Sequence, residues 1–275
     1  MNAARICPSI GTCVLQKRDE DLLLDLFGHG VLTRTQIMQL GHFGSVQRCN
    51  SRLLRLRQHG FVQLVHHPAA GGASPALYRV GRQAAKRLIE RLGISATEFQ
   101  RAANSTAAMT FMEHTAKLVE LRVTFEKALR ETTTEHWSWR SESLCRHVYS
   151  VSGQRRVVKP DSFVRWESGG VTESWFVELD LGNASQNAIG SKLASYGSYL
   201  DDDAYHEVYG PESFGVLIVT TGQLRLQNLL RHCLSMPFPV LGTVRAILHS
   251  AGPLSPIWSC PAGSRWPSTL LRRSQ

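Results

Sequence analysis

Apolar positions along this chain recur at two periods, and the change from one to the other divides it. In the N-terminal part the helical period governs. Residues 21–27 make a short apolar helix ended by Gly28, Thr33 or Thr35 caps a second over residues 36–40, and Gly41 breaks it. A third helix is predicted over residues 45–58, stopping before Gly60. Its positions Val46, Cys49, Leu53 and Leu56 recur at helical spacing and face a core, which turns Gln47, Arg48, Ser51, Arg52 and Arg55 outward. Two strand-like runs follow, residues 61–65 and 77–80, around a tip rich in Gly and Pro.

Further along, helical and two-residue periods alternate. Residues 110–130 predict a long helix with Phe111, Leu118, Leu121 and Phe125 on one stripe, and residues 135–140 a strand. Residues 162–166 and 173–180 read as the arms of a hairpin turning at Gly169-Gly170. Period two puts Trp175, Val177 and Leu179 on one face and Phe176, Glu178 and Asp180 on the other. A helix over residues 185–200, an apolar strand over 215–220, a helix over 224–234 and a last strand over 243–247 complete the series. The order predicts an α/β protein. A winged helix-turn-helix over residues 17–100 precedes a mixed sheet flanked by helices over residues 106–250, with a tail over residues 251–275 and a joint at the polar residues 101–106.

Composition adds the partner. With 275 residues and 43% hydrophobic content the chain is long enough for one large or two modest domains with proper cores. The formal net charge of +9 points to a polyanion, most simply nucleic acid, and the basic excess is concentrated between residues 17 and 101. Arg and Gln are suited to bidentate contacts with base edges, so Gln47, Arg48, Ser51, Arg52 and Arg55 are the expected readers of double-stranded DNA in the major groove. Arg79, His66 and His67, at the base of the wing, are placed to touch phosphate, while the tip from Ala69 to Ala73 carries no Lys or Arg. The alternative is a small helical bundle with a solvated arginine face. Cys7, Cys13, Cys49, Cys145, Cys233 and Cys260 form no CxxC pair or Cys/His ladder, which argues against structural zinc and fits reduced thiols. No apolar stretch approaches a membrane span and the N-terminal residues lack a signal-peptide pattern, so a cytoplasmic protein with no membrane partner is expected.

The hairpin carries the candidate chemistry. Lys159-Pro160-Asp161 opens its first arm and Glu178-Leu179-Asp180 closes the second, gathering three carboxylates that repel one another and are poorly solvated on a buried sheet. Such groups usually persist because a divalent cation or a positive side chain neutralises them. Pro160-Asp161 with Glu178-x-Asp180, in a helix, strand, hairpin, helix, strand context, resembles the PD-(D/E)XK nuclease fold. With the winged helix in front, residues 18–247 resemble the replication-relaxation family of plasmid and mobile-element proteins. The resemblance implies a restriction-endonuclease-like domain in which Asp161, Glu178 and Asp180 hold Mg2+ or Mn2+ for phosphodiester hydrolysis. The sequence departs from that pattern at one position. The fold normally has Lys two residues after the glutamate, where Asp180 stands here. Lys192, sharing a helical face with Ile189 and Tyr196, is the candidate substitute that orients the attacking water. The alternatives are a surface lysine snorkelling past Tyr196, and carboxylates paired with Arg165 or Lys192 in a structural polar core.

Three functions compete. The first is a DNA-binding protein of a plasmid or mobile element, acting in replication or transfer, alone, as a homodimer or with other replication or transfer proteins. The second is an active Mg2+-dependent endonuclease. The third is a transcriptional repressor that binds a palindrome as a dimer. Of the three, only the enzyme needs a divalent metal and Asp161. Tyrosine relaxase chemistry is disfavoured because no His-x-His occurs, and Asp201-Asp202-Asp203 reads as a solvated loop.

Overall fold

A computed structural model of the chain describes residues 13–65, 76–103, 109–132, 134, 136–201, 204–210, 212–263 and 270. Cys7, the wing tip with His66 and His67, Asp202, Asp203, Trp266 and the side chain of Phe111 lie outside the described residues. The chain divides into two units, Met1–Thr115 and Ala116–Gln275.

In the first unit, Asp19 reaches back to accept the Gln16 N–H at 2.7 Å and so starts α1 (Lys17–His29) ahead of its apolar run. Leu22, Leu23, Leu26 and Phe27 fill the buried face of that helix. After β1 (Leu32–Thr33), Thr33 rather than Thr35 caps α2 (Arg34–Gln39). Its hydroxyl accepts the Gln36 N–H at 3.2 Å, and the Gln36 side chain accepts the Thr33 N–H at 2.6 Å. Ser45 caps α3 (Val46–Gln58), whose Cys49, Leu53 and Leu56 are buried as their spacing predicts. Val46 is not. As the first residue of α3 it is 47% exposed, outside the core that its periodicity assigns it to. β2 (Val62–Val65) and β3 (Leu77–Val80) pair antiparallel, and β1 joins β3 to give a sheet of order β1-β3-β2. A 3-10 turn at Arg82–Ala84, α4 (Ala85–Leu92) and α5 (Ala96–Ala103) follow this sheet. Phe99 of α5 stacks on Phe27 with ring centroids 5.3 Å apart. Residues 101–103 of the expected joint are therefore helical, and residues 104–108 lie outside the described set.

Among the described residues, the second unit is built on a five-stranded sheet of order β10-β9-β8-β7-β4. α6 (Met109–Arg130) leads into β4 (His136–Ser141). The chain then leaves the sheet through α7 (Glu142–Cys145), β5 (His147–Val151) and β6 (Gln154–Val158), and returns as β7 (Ser162–Ser168) and β8 (Val171–Leu179). α8 (Gln186–Asp201) and α9 (Ala204–Tyr209) cross to β9 (Gly215–Thr220). α10 (Gln223–Arg231), β10 (Val240–Val244) and α11 (Arg245–Ala251) follow. β4, β7 and β8 pair antiparallel and β8, β9 and β10 parallel, so the sheet is mixed, as the element order predicts. The last strand lies earlier than predicted, because Arg245 already begins a helix.

The hairpin keeps its two-residue alternation, and helices cover both faces of the sheet. Trp175, Val177 and Leu179 pack with Val164, Trp166, Leu217 and Val219 against Leu118, Leu121 and Phe125 of α6. On the opposite face Phe163, Phe176, Val216 and Ile218 meet Tyr196 and Tyr199 of α8, Tyr205 and Tyr209 of α9 and Leu226 of α10. Gly215 pairs with Trp175 across β8 and β9, and a Cβ on it would lie 2.2 Å from the indole, so that pairing requires glycine. Part of the predicted tail is docked: Trp258 is buried, its indole N–H donating to Pro253 O at 2.7 Å. Cys13, Cys49, Cys145, Cys233 and Cys260 are free thiols. Among the described residues no helix is long and apolar enough to cross a membrane.

Candidate active site

Register brings the two carboxylates together. Ser162 pairs with Val177, so Asp161, one residue ahead of β7, meets the end of β8 at Glu178 and Leu179. Asp161 Oδ2 accepts the Leu179 N–H at 2.8 Å, which leaves Oδ1 facing Lys192 Nζ at 3.0 Å. The same ammonium pairs with Glu178 Oε2, and the Tyr196 hydroxyl donates to Glu178 Oε1. On α8, Ile189 packs against the core and Tyr196 is fully buried, and these two neighbours on its face aim Lys192 at the sheet. Side-chain exposure rises from 8% at Glu178 to 13% at Asp161 and 33% at Lys192, so the lysine forms the solvent edge of the cluster.

Electrostatics follow from that burial. Burial pushes the Glu178 carboxyl up to about 7, with Lys192 opposing the rise and Asp161 adding to it. Burial disfavours the Lys192 ammonium, yet Glu178 and Asp161 outweigh it and hold the group above its ordinary value. Burial, and then the charge of Glu178, raise the Tyr196 phenol well above its ordinary value, so it remains a donor. A carboxyl that titrates near 7 when folded and near 4.5 when unfolded keeps its proton only in the native state between those values. The metal-free protein is therefore expected to have the full contribution of this group below about pH 4.5, to lose about 3 kcal/mol as the pH rises through 7, and to lose nothing more from it above that. Urea unfolding followed by tryptophan fluorescence at several pH values checks this, and Glu178→Gln should flatten the dependence.

Asp180 does not join the cluster, which corrects the three-carboxylate centre to two. β8 ends at Leu179, and the Asp180 carboxylate turns to α10. Arg225 engages both of its oxygens, with Nη2 to Oδ1 at 2.7 Å. Thr220 donates to Oδ2 at 2.6 Å and the Gly182 N–H to Oδ1 at 3.1 Å. Burial works against the charge, but Arg225 and Thr220 hold this carboxyl below its usual range. With its lone pairs committed, Asp180 ties the end of β8 to α10. Among the described residues no group of three or more His, Cys, Asp or Glu is arranged to hold a metal ion. Arg225 was not apparent from local pattern because it lies 45 residues from its partner. Arg165, the other alternative partner, instead faces Glu212 at 3.3 Å and donates to Tyr209 O at 2.7 Å.

On α3, Gln47, Arg48, Ser51 and Arg55 are exposed, and Arg34 of α2, which periodicity did not single out, reaches Asn50 at 3.3 Å to extend that face. Arg52 is not on it. Helical spacing turns Arg52 outward, but the fully buried Asp19 captures it, with Nε to Oδ1 at 2.9 Å, while Nη2 also donates to Val14 O at 2.8 Å. Arg52 therefore fastens α1 and the segment before it to α3. Arg79 Nε donates to Gln63 Oε1 at 3.0 Å between β3 and β2.

Residues 23–211 match the family model described as Replication-relaxation. No curated protein matches the chain. Among solved structures, restriction endonuclease FokI is similar at 12% identity and a TM-score of 0.32, over 88% of this chain and 45% of that one. The chain thus spans less than half the length of the FokI chain.

Proposed function

The chain belongs to the replication-relaxation family, and from that premise we propose that it is a duplex-DNA-binding protein of a plasmid or mobile element, whose second unit hydrolyses phosphodiesters with a divalent metal. One observation carries the reading: α8 delivers Lys192 to both Asp161 and Glu178, completing two carboxylates and an ammonium where the sequence has no lysine after the glutamate. The exposed Gln47, Arg48, Ser51 and Arg55 on α3 support a major-groove contact, with Arg79 at the base of the wing.

The donor set suits a hard cation. Asp161 and Glu178 already share one positive charge, the Lys192 ammonium, and Mg2+ commonly takes one or two carboxylates with water and phosphate oxygens filling its shell. Asp161 and Glu178 would hold Mg2+ or Mn2+. The ion would supply charge stabilisation at the phosphate and lower the pKa of a bound water. Lys192 Nζ would orient the attacking water or donate to the phosphoryl oxygens. Tyr196, donating to Glu178 Oε1, fixes that carboxylate, and the Leu179 N–H fixes Asp161.

Incubation of the full chain with supercoiled plasmid and Mg2+ or Mn2+ tests the reading. Asp161→Ala is expected to lower nicking by about 10³-fold while leaving a duplex gel shift in place. Nicking retained by Asp161→Ala would overturn the assignment. A wild-type protein that shifts duplex but nicks in neither metal would make the cluster a structural ion triad and the protein a binding factor.

A further inference from the structure

Between α7 and β7 the chain leaves the main sheet for the separate ribbon β5-β6, an element that the catalytic reading does not use. Residues 146–160 contain Arg146, Arg155, Arg156 and Lys159 and no Asp or Glu. The strands close over Ser152-Gly153, with φ of 50° and 76°, a two-residue turn whose twist matches that of the strands it joins.

One face of the ribbon is fixed. Tyr149 and Val158 are buried, and the Tyr149 hydroxyl donates to Ser195 O at 3.0 Å on α8, the helix that carries Lys192. The other face presents Val148 paired with Val157, 40% and 42% exposed, and Ser150 paired with Arg155. Lys159 is held by Glu142. Arg156 bonds Gln154 Oε1 at 3.1 Å. Arg130, Arg165, Arg225 and Arg245 in the same unit each face a carboxylate. Arg155 and Arg156 are exposed, and among the described residues no carboxylate pairs with either. The ribbon runs directly into Asp161. At about 3.3 Å per residue, Arg155 lies no more than about 20 Å from it, on the order of half a turn of duplex DNA.

We propose that the β5-β6 ribbon is a second duplex contact, in which Arg155 and Arg156 take backbone phosphates of the DNA presented to Asp161 and Glu178. The inference rests on the DNA-binding reading above. The guanidinium fork matches phosphate geometry, and Arg155 and Arg156, which leave the ribbon on opposite faces, would bracket the backbone beside the site and register the duplex without reading its sequence.

The test measures binding of the full chain to two duplexes of unrelated sequence over a series of salt concentrations. Arg155→Ala/Arg156→Ala is compared with Gln47→Ala/Arg48→Ala and with Arg231→Ala, another exposed arginine of the same unit. Loss of two phosphate contacts is expected to reduce the slope of log Kd against log salt by about 2 and to weaken both duplexes alike, by about tenfold or more at 0.1 M salt. Arg231→Ala should leave the slope unchanged. A ribbon variant with wild-type slope and affinity, while Gln47→Ala/Arg48→Ala is weakened, would overturn the inference and leave the DNA-binding reading standing. A loss confined to one of the two sequences would overturn the phosphate assignment. A wild-type protein that binds neither duplex would overturn both.

Discussion

Lys192→Met is expected to cost the second unit about 3 kcal/mol at a pH of about 8 and about 1 kcal/mol less at about 5. Methionine keeps most of the aliphatic stem packed against α8 and removes only the ammonium. At the higher pH this leaves Asp161 and the buried Glu178 side by side with no cation between them. Removing one partner of a buried pair typically costs more than the pair itself contributes, and here the penalty falls near the low end of that range because Lys192 is 33% exposed. At the lower pH Glu178, with its carboxyl pushed up to about 7, is already protonated, and the Asp161 carboxylate is what remains facing the lost ammonium. Denaturant unfolding of wild type and variant at both pH values measures the effect. Equal losses at the two would show that Lys192 acts through packing rather than charge. The same variant is expected to lower metal-dependent nicking by about 10²- to 10³-fold, the usual cost of one donor aimed at developing charge.

Asp19→Ala is expected to destabilise the first unit by about 3 to 5 kcal/mol. The substitution removes the fully buried partner of Arg52 and, with it, the acceptor that starts α1 at the Gln16 N–H. A spectroscopic contrast isolates the effect. All six tryptophans, from Trp137 to Trp266, lie in the second unit. Tryptophan fluorescence therefore follows that unit alone, whereas far-ultraviolet circular dichroism follows both. Asp19→Ala should move an early transition in the dichroism and leave the fluorescence midpoint in place. Coincident shifts in both signals would mean that the ion pair supports the whole chain, and unchanged melting would mean that Arg52 finds equivalent solvation elsewhere.

What could be foreseen from the sequence was local and periodic. The alternation of residues 173–179 placed Glu178 opposite Trp175, Val177 and Leu179, and the helical spacing of Ile189, Lys192 and Tyr196 turned the lysine toward the sheet. The same arithmetic failed where a distant charge intervened. Period two grouped Asp180 with Glu178, but the strand ends one residue earlier and Arg225, from α10 four elements further on, takes the carboxylate. Period 3.6 put Arg52 on the outward face of α3, but Asp19, 33 residues away, draws it in. The ribbon β5-β6 left a fainter signal, the Ser152-Gly153 pair between two valine-containing runs, which marks a turn but is easily lost among polar residues. In β10 the helix begins immediately after Val244 with no intervening loop, so the apolar pattern runs through the boundary without marking it.

The mixed pairing of β8 also predicts an order of assembly. β7 and β8 meet across a turn of two glycines and can close at small entropic cost, whereas the parallel partner β9 arrives only after the long excursion through α8 and α9. Asp161 and Glu178 are therefore expected to become neighbours before the helix bearing Lys192 has docked, an interval in which their repulsion has no cation to offset it. Docking of α8 both covers the aromatic face of the sheet and relieves that repulsion, so dissolved cations present during folding would compete with Lys192 for the same carboxylates and slow the closing step.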